Sequence, residues 1–162
     1  MNGDFFKNAL VAINCSQSSI HASMYAIIMA KSYNLKLKFV YVVDTATIKY
    51  LSLNKFLIDE EKQDYISQLT ADGSNYLTYI KRLSQSKGIN CETELLNGGV
   101  YSEIIKSADD FKADLIILGG NETDSSKRNS VSEAEKRILL SSHIPVLVVQ
   151  KPEIERLFNN LK

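Results

Sequence analysis

Two glycines, Gly119 and Gly120, stand between an apolar strand and a helix, a position where α/β proteins commonly bind phosphate. Backbone N–H groups in such a turn can approach a phosphate closely because glycine has no Cβ. After Gly120 the polar loop has no glycine before Pro145, so the turn is an incomplete phosphate cradle. Lys127 and Arg128 lie in the same loop and could pair a phosphate through their side chains.

Elsewhere in the chain no nucleophile is paired with a general base. His21 lies near the start of a helix and His143 lies before the last strand, so capping or surface roles explain both histidines. Cys15 and Cys91 show neither Cys-x-x-Cys spacing nor a histidine at metal-ligand spacing, which predicts two free thiols. We therefore assign no catalytic residue and no metal ligand.

The elements that would position the glycine turn form a strand–helix–strand unit. Leu115 to Leu118 and Val146 to Val149 are short apolar runs without alternation, which is typical of strands buried on both faces of a parallel sheet. Both are therefore expected to be central strands. Between them Val131, Ala134 and Ile138 recur at helical spacing, so the unit is predicted to be a βαβ crossover.

The rest of the chain repeats this alternation of strand and helix. Further strands are expected at Lys7 to Asn14, Leu37 to Val43 and Ile89 to Leu96, and further helices at Ile20 to Asn34, Glu60 to Ser86 and Tyr101 to Phe111. Five strands and about four helices predict a three-layer, doubly wound α/β domain with a mainly parallel sheet. We expect one domain over residues 1–152 and a short C-terminal tail over residues 153–162.

Residues 46–59 are the segment that this pattern assigns least clearly. They contain several large apolar side chains but no glycine or proline, and three interpretations stay open: a lid, a short helix or a partner surface. The apolar residues are Ile48, Tyr50, Leu51, Leu53, Phe56 and Leu57.

The charge composition bears on possible partners. Nineteen basic and nineteen acidic side chains cancel, and neither sign forms a long block, so nucleic acid and anionic membrane are not expected partners. The N-terminus lacks a basic start followed by a long apolar run, and no stretch approaches the ~20 apolar residues that span a bilayer. We expect a cytoplasmic protein.

Three features together resemble a universal stress protein domain, with its fold related to the adenine nucleotide alpha hydrolases. They are a first strand that ends in Asn14-Cys15-Ser16, a second that ends in Val42-Val43-Asp44, and the LIILGG strand followed by the closing PVLVVQ. The resemblance covers Lys7 to Lys151. It implies a homodimer formed through the last strand, Val146 to Gln150, where a second copy can satisfy exposed backbone groups.

ATP-binding members of this family share a motif of Gly, two residues, Gly, nine residues, Gly, then Ser or Thr. Gly120 matches the first glycine, whereas the second falls on Thr123. The third falls on Glu133, or on Ser132 when counted back from Pro145. No register restores the missing glycines, and a glutamate at the helix start would repel phosphate.

The resemblance also implies individual site residues. Asn14 stands where these members have an aspartate at the end of strand one, and Val43 stands where the strand-two backbone meets adenine. A shorter register matches residues 129–133 to the family's Gly-Ser-Val segment and adds Ser130 to the implied site. The implied cofactor-binding residues are Asn14, Val43, Gly120, Lys127, Arg128 and Ser130.

Two functions remain open. The first is a non-enzymatic, homodimeric stress-response regulator that associates with other proteins and binds ATP weakly or not at all. The second is a nucleotide switch or slow ATPase in which Lys127 and Arg128 replace the lost glycines, with ATP or AMP as the cofactor. A third, another adenosine-handling enzyme of similar fold, would need a glycine-rich loop after strand one, where this chain has CSQSS.

Overall fold

The computed structural model describes residues 5–120, 132–151 and 153–162, which form a five-stranded sheet between two layers of helices. In chain order the elements are β1 (Asn8–Ile13), α1 (Gln17–Tyr33), β2 (Lys36–Val43), α2 (Thr45–Leu53), α3 (Asp59–Ser86), β3 (Cys91–Asn97), α4 (Val100–Asp110), β4 (Leu115–Gly119), α5 (Glu133–Ser141), β5 (Val146–Val149) and α6 (Ile154–Asn160). None of the helices in these ranges combines the length and apolar character needed to span a bilayer.

The strand order is β3-β2-β1-β4-β5, and all four pairs of neighbours are parallel. The chain winds outward from β1 to β3 and then returns to β4, so the direction of winding reverses between β1 and β4. At such a switch point the loops leave towards opposite faces, and a crevice opens at the carboxyl ends of the strands. The predicted doubly wound, three-layer α/β fold is confirmed.

Side chains of the central strand alternate between the two helical layers. Ala9, Val11 and Ile13 are buried in a core shared with α1, α3 and α6. Leu10 and Ala12 are buried in the opposite core, shared with α4 and α5. Because β1 is covered on both faces, it is apolar from Ala9 to Ile13 and shows no polar alternation.

The prediction that both strands of the βαβ unit are central is right for β4 and wrong for β5. Every residue of β4 is buried, whereas the first three residues of β5 are only half-buried. β5 pairs with β4 on one side and ends the sheet on the other. A run of four apolar residues does not distinguish an edge strand from a central one, because the number of partners depends on distant parts of the chain.

The described part of the chain contains six helices, where about four were expected. α2 lies in the segment that the sequence left open, and the short-helix interpretation is the one found. The Asp44 side chain caps it by accepting from the Thr47 N–H at 3.0 Å. α6 occupies the expected tail, and its Ile154 and Phe158 are buried against the core.

Candidate functional site

The candidate site lies at the carboxyl ends of β1, β2 and β4, and close packing accounts for the first of its two glycines. A Cβ on Gly119 would lie 2.6 Å from the carbonyl carbon and oxygen of Ser18 and 2.8 Å from the backbone nitrogen of Ser19. These atoms belong to the first turn of α1. Gly119 therefore lets the end of β4 and the start of α1 approach each other.

Gly120, the residue that matches the family motif, is also engaged by the protein itself. Its N–H donates to the Val149 carbonyl at 2.9 Å, which extends the pairing of β4 with β5. A Cβ here would overlap the Gln150 side chain and lie 2.9 Å from the Val149 oxygen. The N–H that a phosphate would need is thus already donated within the sheet.

Asn14 follows β1 at the same edge, and both ends of its side-chain amide have partners. Its Oδ1 accepts from the Ser16 backbone N–H at 3.2 Å and from the Ser16 hydroxyl at 2.5 Å. Its Nδ2 donates to Glu135 Oε1 at 3.0 Å. Asn14 therefore connects the first strand to α5, which begins on the far side of the loop that follows β4.

At the start of α5, the Glu135 carboxylate binds the N-cap of its own helix. Ser132 is the N-cap: its hydroxyl accepts from the Glu135 N–H at 3.2 Å, and its backbone N–H donates to Glu135 Oε2 at 2.8 Å. This reciprocal pair is a capping box, which satisfies N–H groups that a bound phosphate would otherwise satisfy. Glu133 adds a second carboxylate to the first turn, as the sequence predicted, and so increases the repulsion of a phosphate there.

Glu135 is the residue that the sequence interpretation missed. One of its carboxylate oxygens accepts from the N-cap of α5 and the other accepts from Asn14, which follows β1. The contact of Glu135 with the N-cap could have been predicted from the sequence, because Ser132 and Glu135 stand at the spacing of a capping box. The contact with Asn14 has no local signal, since the two residues are 121 positions apart.

Val43 reaches the same edge as Asn14 and Gly120. It is buried, and its carbonyl accepts from the Gly98 N–H at 3.1 Å. The topology thus brings together three of the predicted site residues. The other three, Lys127, Arg128 and Ser130, lie outside the described residues.

Cys15 forms the wall of the site towards α3. It has a left-handed backbone with φ of 62°, and its carbonyl accepts from the Tyr76 hydroxyl at 2.9 Å. Burial raises the pKa of the Cys15 thiol, although a hydrogen bond with Tyr41 opposes that shift. Burial and the neighbouring Cys15 also raise the pKa of Tyr41. A thiol kept protonated in this way is a poor nucleophile.

The two histidines lie in separate surface pairs. His21 Nε2 is 3.0 Å from Glu155 Oε1 of α6, and His143 Nε2 is 2.8 Å from Asp109 Oδ1 of α4. Within the described ranges no three His, Cys, Asp or Glu side chains are grouped so that they could hold a metal ion.

The described residues of this site leave few groups available to an external anion. The start of α5 presents two carboxylates, and the Gly120 N–H is already bonded within the sheet. The arrangement is instead that of a closed polar contact between β1 and α5, with Asn14 and Glu135 at its centre.

Comparison with known proteins identifies the same family from a family model and from an individual relative. The family model described as the universal stress protein family matches residues 5–150. A universal stress protein of Methanocaldococcus jannaschii is 30% identical over 156 residues, which cover 95% of this chain and 88% of that protein.

Solved structures of universal stress proteins have the same fold as this chain. The universal stress protein UspA from Lactobacillus plantarum aligns with a TM-score of 0.73 at 21% identity, covering 90% of this chain and 98% of that one. A universal stress protein family protein from Arabidopsis thaliana, solved with AMP bound, aligns with a TM-score of 0.63 at 14% identity, covering 92% and 94%. At these identities the similarity establishes the fold alone.

Proposed function

The chain belongs to the universal stress protein family, and we propose that it acts as a homodimeric binding module of the stress response that catalyses no reaction. Its output is association with other proteins, and its affinity for ATP is weak or absent. A cytoplasmic location goes with this role.

The observation that carries this proposal is the position of Glu135. Its carboxylate accepts from the α5 N-cap at 2.8 Å and from Asn14 at 3.0 Å, so it takes the place of an external anion at the end of the crevice. A triphosphate would have to displace this carboxylate and then bind beside Glu133. Both steps oppose binding through the loss of hydrogen bonds and through like-charge repulsion.

Pairing through β5 is supported by the contrast between the two sheet edges. β5 has the sequence VLVV, is half-buried and carries no charge. At the opposite edge, β3 carries Glu92 and Glu94. Charged side chains protect an edge against strand addition, whereas an uncharged, β-branched edge favours it. We therefore propose that the second copy pairs along Val146 to Gln150.

Calorimetric titration with Mg-ATP tests the proposal. We expect no saturable heat at millimolar ATP, because the helix start is already occupied by Glu135. Glu135→Ala should bind ATP more tightly than the original chain by about tenfold, since it removes one carboxylate and frees the Ser132 N–H that this carboxylate occupies. The matched control is Glu133→Ala, which removes a carboxylate of the same turn but keeps the contacts of Glu135, so its gain should be smaller. Micromolar binding by the unmodified chain would overturn the proposal.

The second candidate is a nucleotide switch or slow ATPase that uses Lys127 and Arg128 as phosphate partners. The Arabidopsis relative with AMP bound favours it, because AMP needs only one phosphate to be accommodated. A parallel titration with AMP separates the two functions. Saturable AMP binding that Lys127→Ala and Arg128→Ala abolish would favour the switch.

A further inference from the structure

An apolar surface at the junction of α2 and α3 has no role in the candidate site. Five large side chains are half to three-quarters exposed within sixteen consecutive residues of the chain. We call this the α2–α3 surface, and it consists of Tyr50 (64% exposed), Leu53 (74%), Phe56 (74%), Ile58 (61%) and Tyr65 (50%).

The backbone of this surface is held in place by its own hydrogen bonds. Ile48 is buried and anchors α2 from its other side. Lys55 takes a left-handed backbone with φ of 60°, and the Phe56 N–H donates to the Leu51 carbonyl at 3.0 Å, which closes the turn. The Ile58 N–H then donates to Glu61 Oε2 at 3.3 Å at the start of α3. The apolar side chains therefore stand on an ordered scaffold.

The spacing of these residues along the two helices places neighbouring side chains on the same helix face. Tyr50 and Leu53 are three residues apart on α2, and Ile58 and Tyr65 are seven residues apart at the start of α3. Phe56 lies in the turn that joins the two helices. Large side chains at these exposures present on the order of 500 Å² of mostly apolar area, a substantial part of the ~800 Å² that each partner buries in a standard interface. Exposed apolar area of this size in one short segment is often functional.

The charges around the surface indicate what covers it. Lys49 and Lys55 lie on the α2 side, whereas Asp59, Glu60, Glu61 and Asp64 lie at the start of α3 together with the half-buried Lys62. All of these residues except Lys62 are exposed. A surface with net positive charge on one side and net negative charge on the other is complementary to itself after a two-fold rotation, because each basic side then meets an acidic side.

We propose that the α2–α3 surface binds the same surface of a second copy of this chain across a two-fold axis. In the strand order, α2 and α3 belong to the side of β2 and β3, whereas β5 is the last strand on the opposite side. The two contacts therefore use different parts of the molecule. Homodimers that are paired through β5 can therefore associate further through the α2–α3 surface.

Charge reversal in two blocks tests the proposal by complementation. One variant carries Lys49→Glu and Lys55→Glu, and the other carries Glu60→Lys and Asp64→Lys. Both are made in chains with Val148→Lys, which places a charge in the β5 edge so that only the α2–α3 surface can pair. Mass is measured by analytical ultracentrifugation at ~100 μM, since an interface of this size can be as weak as micromolar.

We expect the Val148→Lys parent to dimerise and each block variant alone to be monomeric, because like charges then face each other at both ends. An equimolar mixture of the two variants should dimerise again, since every basic end meets an acidic end. A monomeric parent, or a mixture that stays monomeric, overturns the proposal. Either result would assign the surface to another occupant.

A second variant pair tests the apolar part without changing charge and without the Val148→Lys background. Leu53→Ser with Phe56→Ser should weaken the association through this surface at least tenfold. The matched control is Tyr33→Ser at the far end of α1, where the side chain is 70% exposed but lies outside the surface. Equal masses for the double variant and the control at every concentration would contradict the proposal.

Discussion

At the scale of single residues, the central feature of the candidate site is the hydrogen bond between the Asn14 amide and the Glu135 carboxylate. Family members that bind ATP have an aspartate at the first position, and here an amide donates to a carboxylate at 3.0 Å. An aspartate could not make this contact, because it would bring two negative charges together. The asparagine and the glutamate are thus compatible with each other.

Asn14→Asp should therefore destabilise the protein even though it restores the family residue. We expect a loss of about 1 kcal/mol in the free energy of unfolding at pH 7, because one hydrogen bond is replaced by like-charge repulsion at an exposed site. Urea denaturation at low salt measures the change, and added salt should reduce it.

The control for this prediction is Asn14→Asp combined with Glu135→Gln. The glutamine amide can donate to the new carboxylate, so most of the lost stability should return. If Asn14→Asp is as stable as the original chain, or if Glu135→Gln fails to restore it, then the two side chains are not coupled.

The positions of three site residues could be predicted from the sequence, but the hydrogen-bond partners of their polar groups could not. Asn14, Val43 and Gly120 could be placed at one edge because the carboxyl ends of parallel strands coincide. Whether their polar groups are available could not be predicted. The Gly120 N–H and the Asn14 Nδ2 are engaged by residues far away in the chain, and such pairings depend on tertiary packing.

At the scale of elements, Glu94 connects β3 to two of its neighbours. Its Oε2 is 2.8 Å from Lys38 Nζ of β2 and accepts from the Ser107 hydroxyl of α4 at 2.6 Å. Burial alone would raise the pKa of Glu94, but the hydrogen bonds from Lys38 and Ser107 outweigh it and hold the pKa below its usual value. The ionised carboxylate is therefore favoured in the folded state.

Glu94→Gln should lower stability at neutral pH and have progressively less effect in acid. A carboxyl whose pKa is lowered by folding stabilises the protein above its unfolded pKa of about 4.3, and that contribution disappears as the pH falls through the folded pKa. Because the side chain is 34% exposed, we expect at most about 1 kcal/mol at pH 7 after solvent screening.

Denaturant unfolding between pH 7 and pH 3 measures this dependence. Glu92→Gln is the control, since Glu92 lies exposed on the same strand and its replacement should change stability by no more than about 0.5 kcal/mol at any pH. A destabilisation by Glu94→Gln that increases towards acid would contradict the proposed cause.

The elements themselves differ in how far the sequence determines them. The strands and long helices could be predicted because β-branched runs and 3.6-residue periodicity extend over many positions. The short helices α2 and α6 have few periodic positions and could not be predicted in the same way. α5 is equally short but could be predicted, because it lies between the two strands of a βαβ unit. Gly73 shows a different limit: it weakens a helix by propensity, but in α3 a Cβ there would overlap the Tyr41 ring of β2.

At the scale of the whole molecule, the two edges of the sheet predict how copies associate. Val148→Lys should prevent pairing through β5, because a charge in a four-residue apolar edge opposes strand addition. We expect chains that also carry Leu53→Ser and Phe56→Ser to change from dimers to monomers of 18.2 kDa. Sedimentation equilibrium measures this change.

The matched control places the same charge on the other edge. In chains that carry Leu53→Ser and Phe56→Ser, Thr93→Lys changes β3, which is already exposed and charged, so the dimer should persist. Equal behaviour of Val148→Lys and Thr93→Lys, either both dimeric or both monomeric, would show that β5 is not the specific pairing edge.

The strand order also has a consequence for synthesis on the ribosome. β1 receives β2 early, but its other neighbour, β4, pairs Leu115 with Ala9 and so is made about a hundred residues later. At ~5–20 residues per second, the nascent chain carries β1 with one side open for on the order of ten seconds. During that interval the apolar run Ala9 to Ile13, which becomes the middle strand of the finished sheet, is open to any chaperone that binds extended apolar segments.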